Sequence, residues 1–231
     1  MTLHQLPIAN KERVIIVGAG IGGLAASLRL SHMGYNVKVF ETAQTGGGKL
    51  RTITGQTGEI DIGPTVLTLL PVFQNLFKSV GEDIFEHIEL VRQKIIARHW
   101  WSDGETLDLY DDFETSRDAI LNFSGSDSAK EFEKYFYDTR DLFSCFDIPV
   151  MRNPNPSMLD MNRAVLNNPK ILFKMHPLRT LSSLLNYKFR DSRLQQLFGR
   201  YSTYVGGSPL ESPALLSLIW QAEADGVWSI K

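Results

Sequence analysis

An α/β fold is predicted by three features near the start of the chain. Val14, Ile15, Ile16 and Val17 form a continuous apolar run, the mark of a parallel strand covered on both faces. The glycine pattern Gly18-Ala19-Gly20-Ile21-Gly22-Gly23 follows at once and leads into Leu24, Leu28 and Leu30, which keep a helical face apolar. Val37, Val39 and Phe40 then resume strand character and end on Glu41. The order strand, helix, strand is a βαβ unit.

Each further element has its own signal. Gly34 sits where a helix C-terminus takes a left-handed residue. Thr45 to Gly48 is too rich in glycine for a regular element, so the chain loops there. Pro71 to Gly81 places Phe73, Leu76, Phe77 and Val80 at helical spacing, with Pro71 suited to the first turn and Gly81 to the stop. Glu89 to His99 and Glu105 to Tyr110 read as two strands around the turn Ser102-Asp103-Gly104, implying a second, antiparallel sheet. Phe113 to Phe123 and Ser128 to Phe146 are helical, and the prolines between Pro149 and Pro156 break the pattern.

Composition narrows the function classes. The chain has 231 residues, 43% of them hydrophobic, and a net charge of -2, which is ordinary for a soluble globular protein and gives no sign of a nucleic-acid partner. The single cysteine, Cys145, cannot form an internal disulfide, and Met1 to Arg13 lacks the apolar core of a secretion signal; a cytoplasmic location is expected. Val14 to Leu28 is broken by glycines and is too short to span a bilayer. Histidines and cysteines do not pair at ligand spacing, so no metal site is expected. A G-x-S-x-G nucleophile motif is also missing.

The glycine pattern matches G-x-G-x-x-G, and each glycine has a physical task. Gly18 permits the tight turn, Gly20 lets backbone amides approach a pyrophosphate, and Gly23 lets helix and strand pack closely. The diphosphate then lies at a helix N-terminus, where unpaired N–H groups and the helix dipole favour negative charge. Glu41 stands about 20 residues on, where a carboxylate accepts ribose hydroxyls and disfavours the 2'-phosphate of NADP. The competing reading is a purely structural turn, with Glu41 a solvated strand end.

Two later segments, Gly46-Gly47-Gly48-Lys49 and Asp61-Ile62-Gly63-Pro64-Thr65, resemble cofactor segments of the flavoprotein superfamily that includes amine oxidases and phytoene desaturases. The stretches GAGIGGLAA, GGGKLRT, DIGPTVLT, ARHWWSDGETLDL, RYSTYVGGSP and ADGVWSIK together resemble the carotenoid (phytoene) desaturase family of FAD-dependent oxidoreductases, closest to its 1-hydroxycarotenoid 3,4-desaturase branch. The resemblance covers the N-terminal part of that family, whose members continue past Lys231 and return to complete the flavin site.

The resemblance implies FAD as cofactor and a lipophilic carotenoid as substrate, dehydrogenated with hydride passing to the flavin and a proton leaving. It places Gly18, Ala19, Gly20, Ile21, Gly22 and Gly23 at the pyrophosphate and Glu41 at the adenosine ribose. Gly48 and Lys49 fall on the phosphate side, and Gly63, Pro64, Thr65 and Val66 near the isoalloxazine. The family often has Arg where Lys49 stands, so a point charge replaces a planar fork. No catalytic acid or base is identified. His99, like His32, His87 and His176, reads as an ordinary packed residue, and of Trp100 and Trp101, on opposite strand faces, at most one can line a ligand channel.

The domain organisation expected is residues 1–80 as the N-terminal part of an FAD-binding domain and 81–150 as the sheet and helices of an α+β substrate domain. Residues 151–204 form a basic amphipathic helical segment, and 205–231 return toward the substrate-domain sheet, the whole being incomplete at the C-terminus. From Arg163 to Arg200 there are eight basic residues against Asp191 alone, interleaved with leucines and phenylalanines. Such a segment is either a solvated face or a contact for an anionic membrane surface, which would make the protein peripheral on the cytoplasmic membrane. Alternative functions are another flavin oxidase of the superfamily, acting on amines or porphyrinogens, and a non-catalytic fragment. Phe136, Tyr137, Phe143 and Phe146 fit either enzyme.

Overall fold

The computed structural model describes residues 12–231, so most of the Met1–Arg13 segment read for a secretion signal lies outside the described residues. They fall into two compact units, one made of residues 12–92 with Trp228–Lys231 and the other of Gln93–Val227.

In the first unit, β1 (Arg13–Val17) and β2 (Asn36–Phe40) pair in parallel, Val14 opposite Val37 and Ile16 opposite Val39, with α1 (Ile21–His32) crossing between them. Gly34 adopts φ +93°, the left-handed turn expected after the helix. The βαβ unit is therefore present. Its strand is not covered on both faces, however: Ile15 is 59% and Val17 87% exposed, while Val14 and Ile16 are half-buried. Among the described residues the sheet has two strands, and no second layer covers the side that Ile15 and Val17 share.

A short antiparallel pair, β3 (Thr52–Thr54) and β4 (Glu59–Asp61), follows. Next comes α2 (Leu70–Lys78), with Pro71 in its first turn and Gly81 at φ +82° beyond its end, close to the expected helix. The small helix α3 (Ile84–His87) starts where the Asp83 carboxylate accepts the Phe85 amide at 3.0 Å. The strand β5 (Leu90–Arg92) pairs antiparallel with the chain's last strand, Trp228–Ile230.

The expected single strand Glu89 to His99 is thus two. After β5 the chain breaks and β6 (Ile95–Trp100) begins, pairing with β7 (Thr106–Tyr110) in the second unit. At the break, the Gln93 amide donates to the Val227 carbonyl at 2.8 Å, and the Lys94 carbonyl accepts the Asp111 amide at 3.0 Å. Different partners take the two halves, which an apolar pattern alone cannot reveal. The β6–β7 connection is the expected turn, with Gly104 at φ +87°.

Helix α4 (Phe113–Phe146) is capped by Asp112, which accepts the Thr115 amide at 2.8 Å, and is interrupted at Gly125, φ +87° and ψ 176°. It is two helical stretches meeting at a glycine, at the place where the apolar period lapses. A π-turn (Asp147–Met151) fills part of the proline-rich break. The remaining helices are α5 (Met158–Asn167), α6 (Ile171–Met175), α7 (Leu181–Lys188), α8 (Ser192–Gly199) and α9 (Gln221–Ala224), with 3-10 turns at Arg200–Val205 and Ala214–Trp220. Ser157 and Asp160 form a reciprocal capping box on α5, and Thr180 and Asp191 cap α7 and α8.

The core of the second unit is aromatic. Phe132, Tyr135, Phe136, Phe189, Phe198, Tyr201 and Trp220 are buried with Leu107, Leu109, Leu181, Leu185, Leu194 and Leu197. Each such side chain contributes about 1.5–3 kcal/mol by leaving water.

The basic segment divides in two. Leu181, Leu184, Leu185 and Phe189 are core residues, whereas Leu166, Leu172, Phe173 and Leu178 are exposed, Leu178 at 99%. Its cations divide as well. Lys174 and Lys188 reach Asp138 at 3.1 and 2.6 Å, Arg190 reaches Asp127 at 3.0 Å, Arg193 reaches Asp191 at 2.8 Å, and Arg200 pairs with Glu223. Among the described residues, Arg163, Lys170 and Arg179 carry no ion pair. Acidic side chains of α4 thus balance much of what looks in one dimension like a free positive stripe.

Candidate dinucleotide-binding site

The first unit assembles the glycine segments from three parts of the chain. Gly18 holds φ +99° and donates its amide to the Phe40 carbonyl at 2.7 Å, tying the end of β1 to the end of β2. A Cβ on Gly23 would stand 2.0 Å from the Gly18 carbonyl oxygen, so α1 packs on the strand at a distance only glycine allows. A Cβ on Gly20 would meet nothing nearer than the Gly48 Cα, at 3.8 Å. Glycine at this position is therefore not forced by protein packing, the contact with Gly48 being of ordinary van der Waals length.

Glu41 closes this loop. Its Oε2 accepts the Ala19 amide at 2.7 Å, and its Oε1 accepts the amides of Thr42 at 2.8 Å and Ala43 at 2.9 Å. The Ala43 and Ala19 amides, in that order, hold its carboxyl at about 2 against an ordinary 4.5, so it stays ionised. The carboxylate faces the loop and fastens it.

The second glycine run lies against the first. The Gly47 amide donates to the Ala19 carbonyl at 2.8 Å, and Gly20 and Gly47 form a bridge. Gly48, at φ +63°, would place a Cβ 3.0 Å from the Gly20 Cα. The third segment meets the second: a Cβ on Gly63 would fall 1.9 Å from the Lys49 carbonyl oxygen. Gly18 to Gly23, Glu41, Gly48, Lys49 and Gly63 are thus brought together. Pro64, Thr65 and Val66 lead away as an exposed stretch to Leu67, which exchanges hydrogen bonds with Trp228 at 2.9 and 2.8 Å. Gly46 and Gly47 were not among the residues singled out as ligands, yet Gly47 makes the contact between the runs. The signal was the third consecutive glycine, one more than a plain turn needs.

The amides of Ile21, Gly22 and Gly23 open α1 and lack acceptors within the helix.

The other residues considered lie in the second unit. Trp100 is 68% exposed, while Trp101 packs on Phe123 at 5.1 Å and donates its indole N–H to Gln196 at 2.9 Å, so the pair does divide between solvent and core. Phe136, Phe143 and Phe146 are buried and Tyr137 is half-exposed. The Cys145 thiol is pushed up by burial and is not activated. Among the described residues, no helix is long and apolar enough to cross a membrane.

Comparison with known proteins agrees with this geometry. Residues 16–82 match the family described as NAD(P)-binding Rossmann-like domain. The chain is 43% identical to the hydroxyneurosporene desaturase of Cereibacter sphaeroides over 95% of its own length and 44% of that protein. To the protein of the same name from Rhodobacter capsulatus it is 42% identical, over 96% of the chain and 45% of the relative. The chain therefore spans less than half the length of these relatives. Among solved structures, putrescine oxidase bound to putrescine superposes with a TM-score of 0.60 at 17% identity, over 95% of this chain and 46% of that one, which establishes a shared fold.

Proposed function

From a chain homologous to the N-terminal part of the carotenoid desaturases, we propose an FAD-dependent desaturase that removes two hydrogens from a carotenoid carbon–carbon bond, specifically as a 1-hydroxycarotenoid 3,4-desaturase. The observation that carries the reading is the convergence of the first turn of α1, the second glycine run and Glu41 on the loop Gly18–Gly23.

In this reading the amides of Ile21, Gly22 and Gly23 bind the pyrophosphate, aided by the helix dipole. Glu41 Oε2 takes one amide and keeps a second lone pair, which is free to accept a ribose hydroxyl. Lys49 adds an exposed positive charge on the phosphate side. Gly63, packed on the Lys49 backbone, leads Pro64, Thr65 and Val66 toward the isoalloxazine. FAD, when bound, supplies the hydride acceptor. The residues of this chain hold and orient it.

A lipophilic substrate has to be drawn from a bilayer. Exposed Leu166, Phe173 and Leu178, beside the unpaired cations Arg163, Lys170 and Arg179, support contact with an anionic, cytoplasmic-side membrane surface. Flotation with vesicles containing phosphatidylglycerol, but not with neutral ones, is the expected result.

The central test is to purify the full-length protein, measure bound flavin by absorbance, and incubate it with a hydroxylated carotene and an electron acceptor. Stoichiometric FAD and a red-shifted polyene spectrum are expected. Amine oxidation with an unchanged carotene spectrum would favour the amine-oxidase reading, and protein free of flavin would remove both.

A further inference from the structure

The second unit holds a buried polar cluster that the dinucleotide site does not use. Glu223, 4% exposed, accepts hydrogen bonds from Arg200 Nη2, from the Tyr201 hydroxyl at 2.8 Å and from the Tyr204 hydroxyl. Arg200 Nη2 also donates to the Tyr201 hydroxyl at 2.8 Å. Tyr201 is fully buried, and Tyr204, its ring 6.0 Å away, is the half-exposed member on the solvent side.

Two atoms of this neighbourhood are buried with no hydrogen-bond partner, Arg200 Nε and His99 Nδ1. Each costs about 1–3 kcal/mol while unmet, so each calls for a partner, whether water or ligand. Their capacities are complementary. A guanidinium Nε–H can only donate, whereas an unprotonated imidazole nitrogen accepts. Burial first, then the charge of Arg200, hold His99 below its usual 6.5, against the opposing pull of the Leu107 backbone and of Glu223 and Asp108. The imidazole is thus kept neutral, and in the tautomer that carries its proton on Nε2 the Nδ1 atom is the acceptor. A carboxylate has no hydrogen for the ring, an ammonium has no lone pair for the guanidinium, and a hydrocarbon has neither. One oxygen that both accepts and donates satisfies both atoms, as the hydroxyl of an alcohol or a water molecule does.

We propose that His99 and Arg200 recognise a hydroxyl group at the end of the substrate, its oxygen accepting from Arg200 Nε–H and donating to His99 Nδ1. Glu223, Tyr201 and Tyr204 position the guanidinium, and rotation of the half-exposed Tyr204 admits the ligand. The identity of the alcohol as a hydroxylated carotenoid rests on the desaturase reading; the recognition of a hydroxyl does not.

Two measurements on the full-length protein test this separately. His99→Leu removes the acceptor, and Arg200→Lys keeps a charge for Glu223 while losing Nε–H. Each is expected to lower kcat/KM about 10- to 100-fold more for a hydroxylated carotene than for the non-hydroxylated one. A parallel fall for both substrates, or for neither, overturns the proposal.

The second measurement is the imidazole nitrogen NMR signal of His99, titrated with a short terpenoid tertiary alcohol and with the matching hydrocarbon. A shift with the alcohol alone, lost in Arg200→Lys, is expected. No shift with the alcohol means that the two atoms hold at most a buried water and overturns the proposal. An alcohol-specific shift without turnover of either carotene would instead sink the desaturase reading alone.

Discussion

Glu41 Oε2, at the end of the second strand, accepts the amide of Ala19 at 2.7 Å across 22 residues of chain. One side chain thus both fastens the glycine loop and faces the space proposed for the ribose. Its carboxyl lies at about 2 when folded and 4.5 ordinarily. Between those values the unfolded chain takes up a proton that the folded chain refuses, so stability is present above 4.5 and is lost as pH falls toward 2. Glu41→Gln should abolish that part of the acid dependence and weaken FAD binding about tenfold, the cost of a charge-assisted hydrogen bond. Denaturant titrations on either side of the window, with flavin titration at neutral pH, check both.

Gly20→Ala and Gly23→Ala should behave differently. At Gly20 a methyl group meets no protein atom within 3.8 Å, so the variant should fold with unchanged thermal stability and lose flavin. At Gly23 the methyl falls 2.0 Å from a backbone carbonyl, so helix and strand must separate, at about 1–3 kcal/mol, and flavin is lost with the packing. Equal melting temperatures for the two variants would contradict the division of tasks described here.

His99 gives the second unit a pH dependence in the same direction from the opposite kind of group. Burial lowers its affinity for a proton relative to the ordinary 6.5. Above 6.5 both folded and unfolded states are neutral; below it the unfolded chain gains a proton first, so stability falls as pH drops below 6.5. His99→Leu should flatten the denaturation midpoint across that range.

Phe198 is the hub of the aromatic core, 5.1 Å from Phe189 at an interplanar angle of 8° and 4.8 Å from Tyr135. Phe198→Ala should cost about 3–5 kcal/mol, read from the chemical denaturation midpoint by circular dichroism. A loss below 1 kcal/mol would mean that the neighbouring rings collapse into the space.

Legibility in the sequence followed the range of the interaction. The order of Gly18, Gly20 and Gly23 was readable because turn, approach and packing each map onto a fixed spacing. The helix break at Gly125 could be seen as a lapse in apolar period. The Glu41 clasp was only half visible, since position points a carboxylate at the loop but local dihedral angles choose its amides. The division of the strand at Gln93 and Lys94 carried no glycine or proline to mark it. Least visible was the neutralisation of the basic segment, because Lys188 meets Asp138 from 50 residues away and a linear count of charge cannot see across a fold.

The uncovered side of β1 also governs how residues 12–231 behave in a tube. Ile15 and Val17 present branched hydrocarbon to water on a two-stranded ribbon whose outer edges have no strand partner among the described residues. Two copies meeting there can zip together edge to edge and bury both ribbons at once. Self-association that strengthens with concentration and salt is therefore the expected behaviour of this ribbon, and a lysine at Ile15 or Val17 is the change that would keep it dispersed.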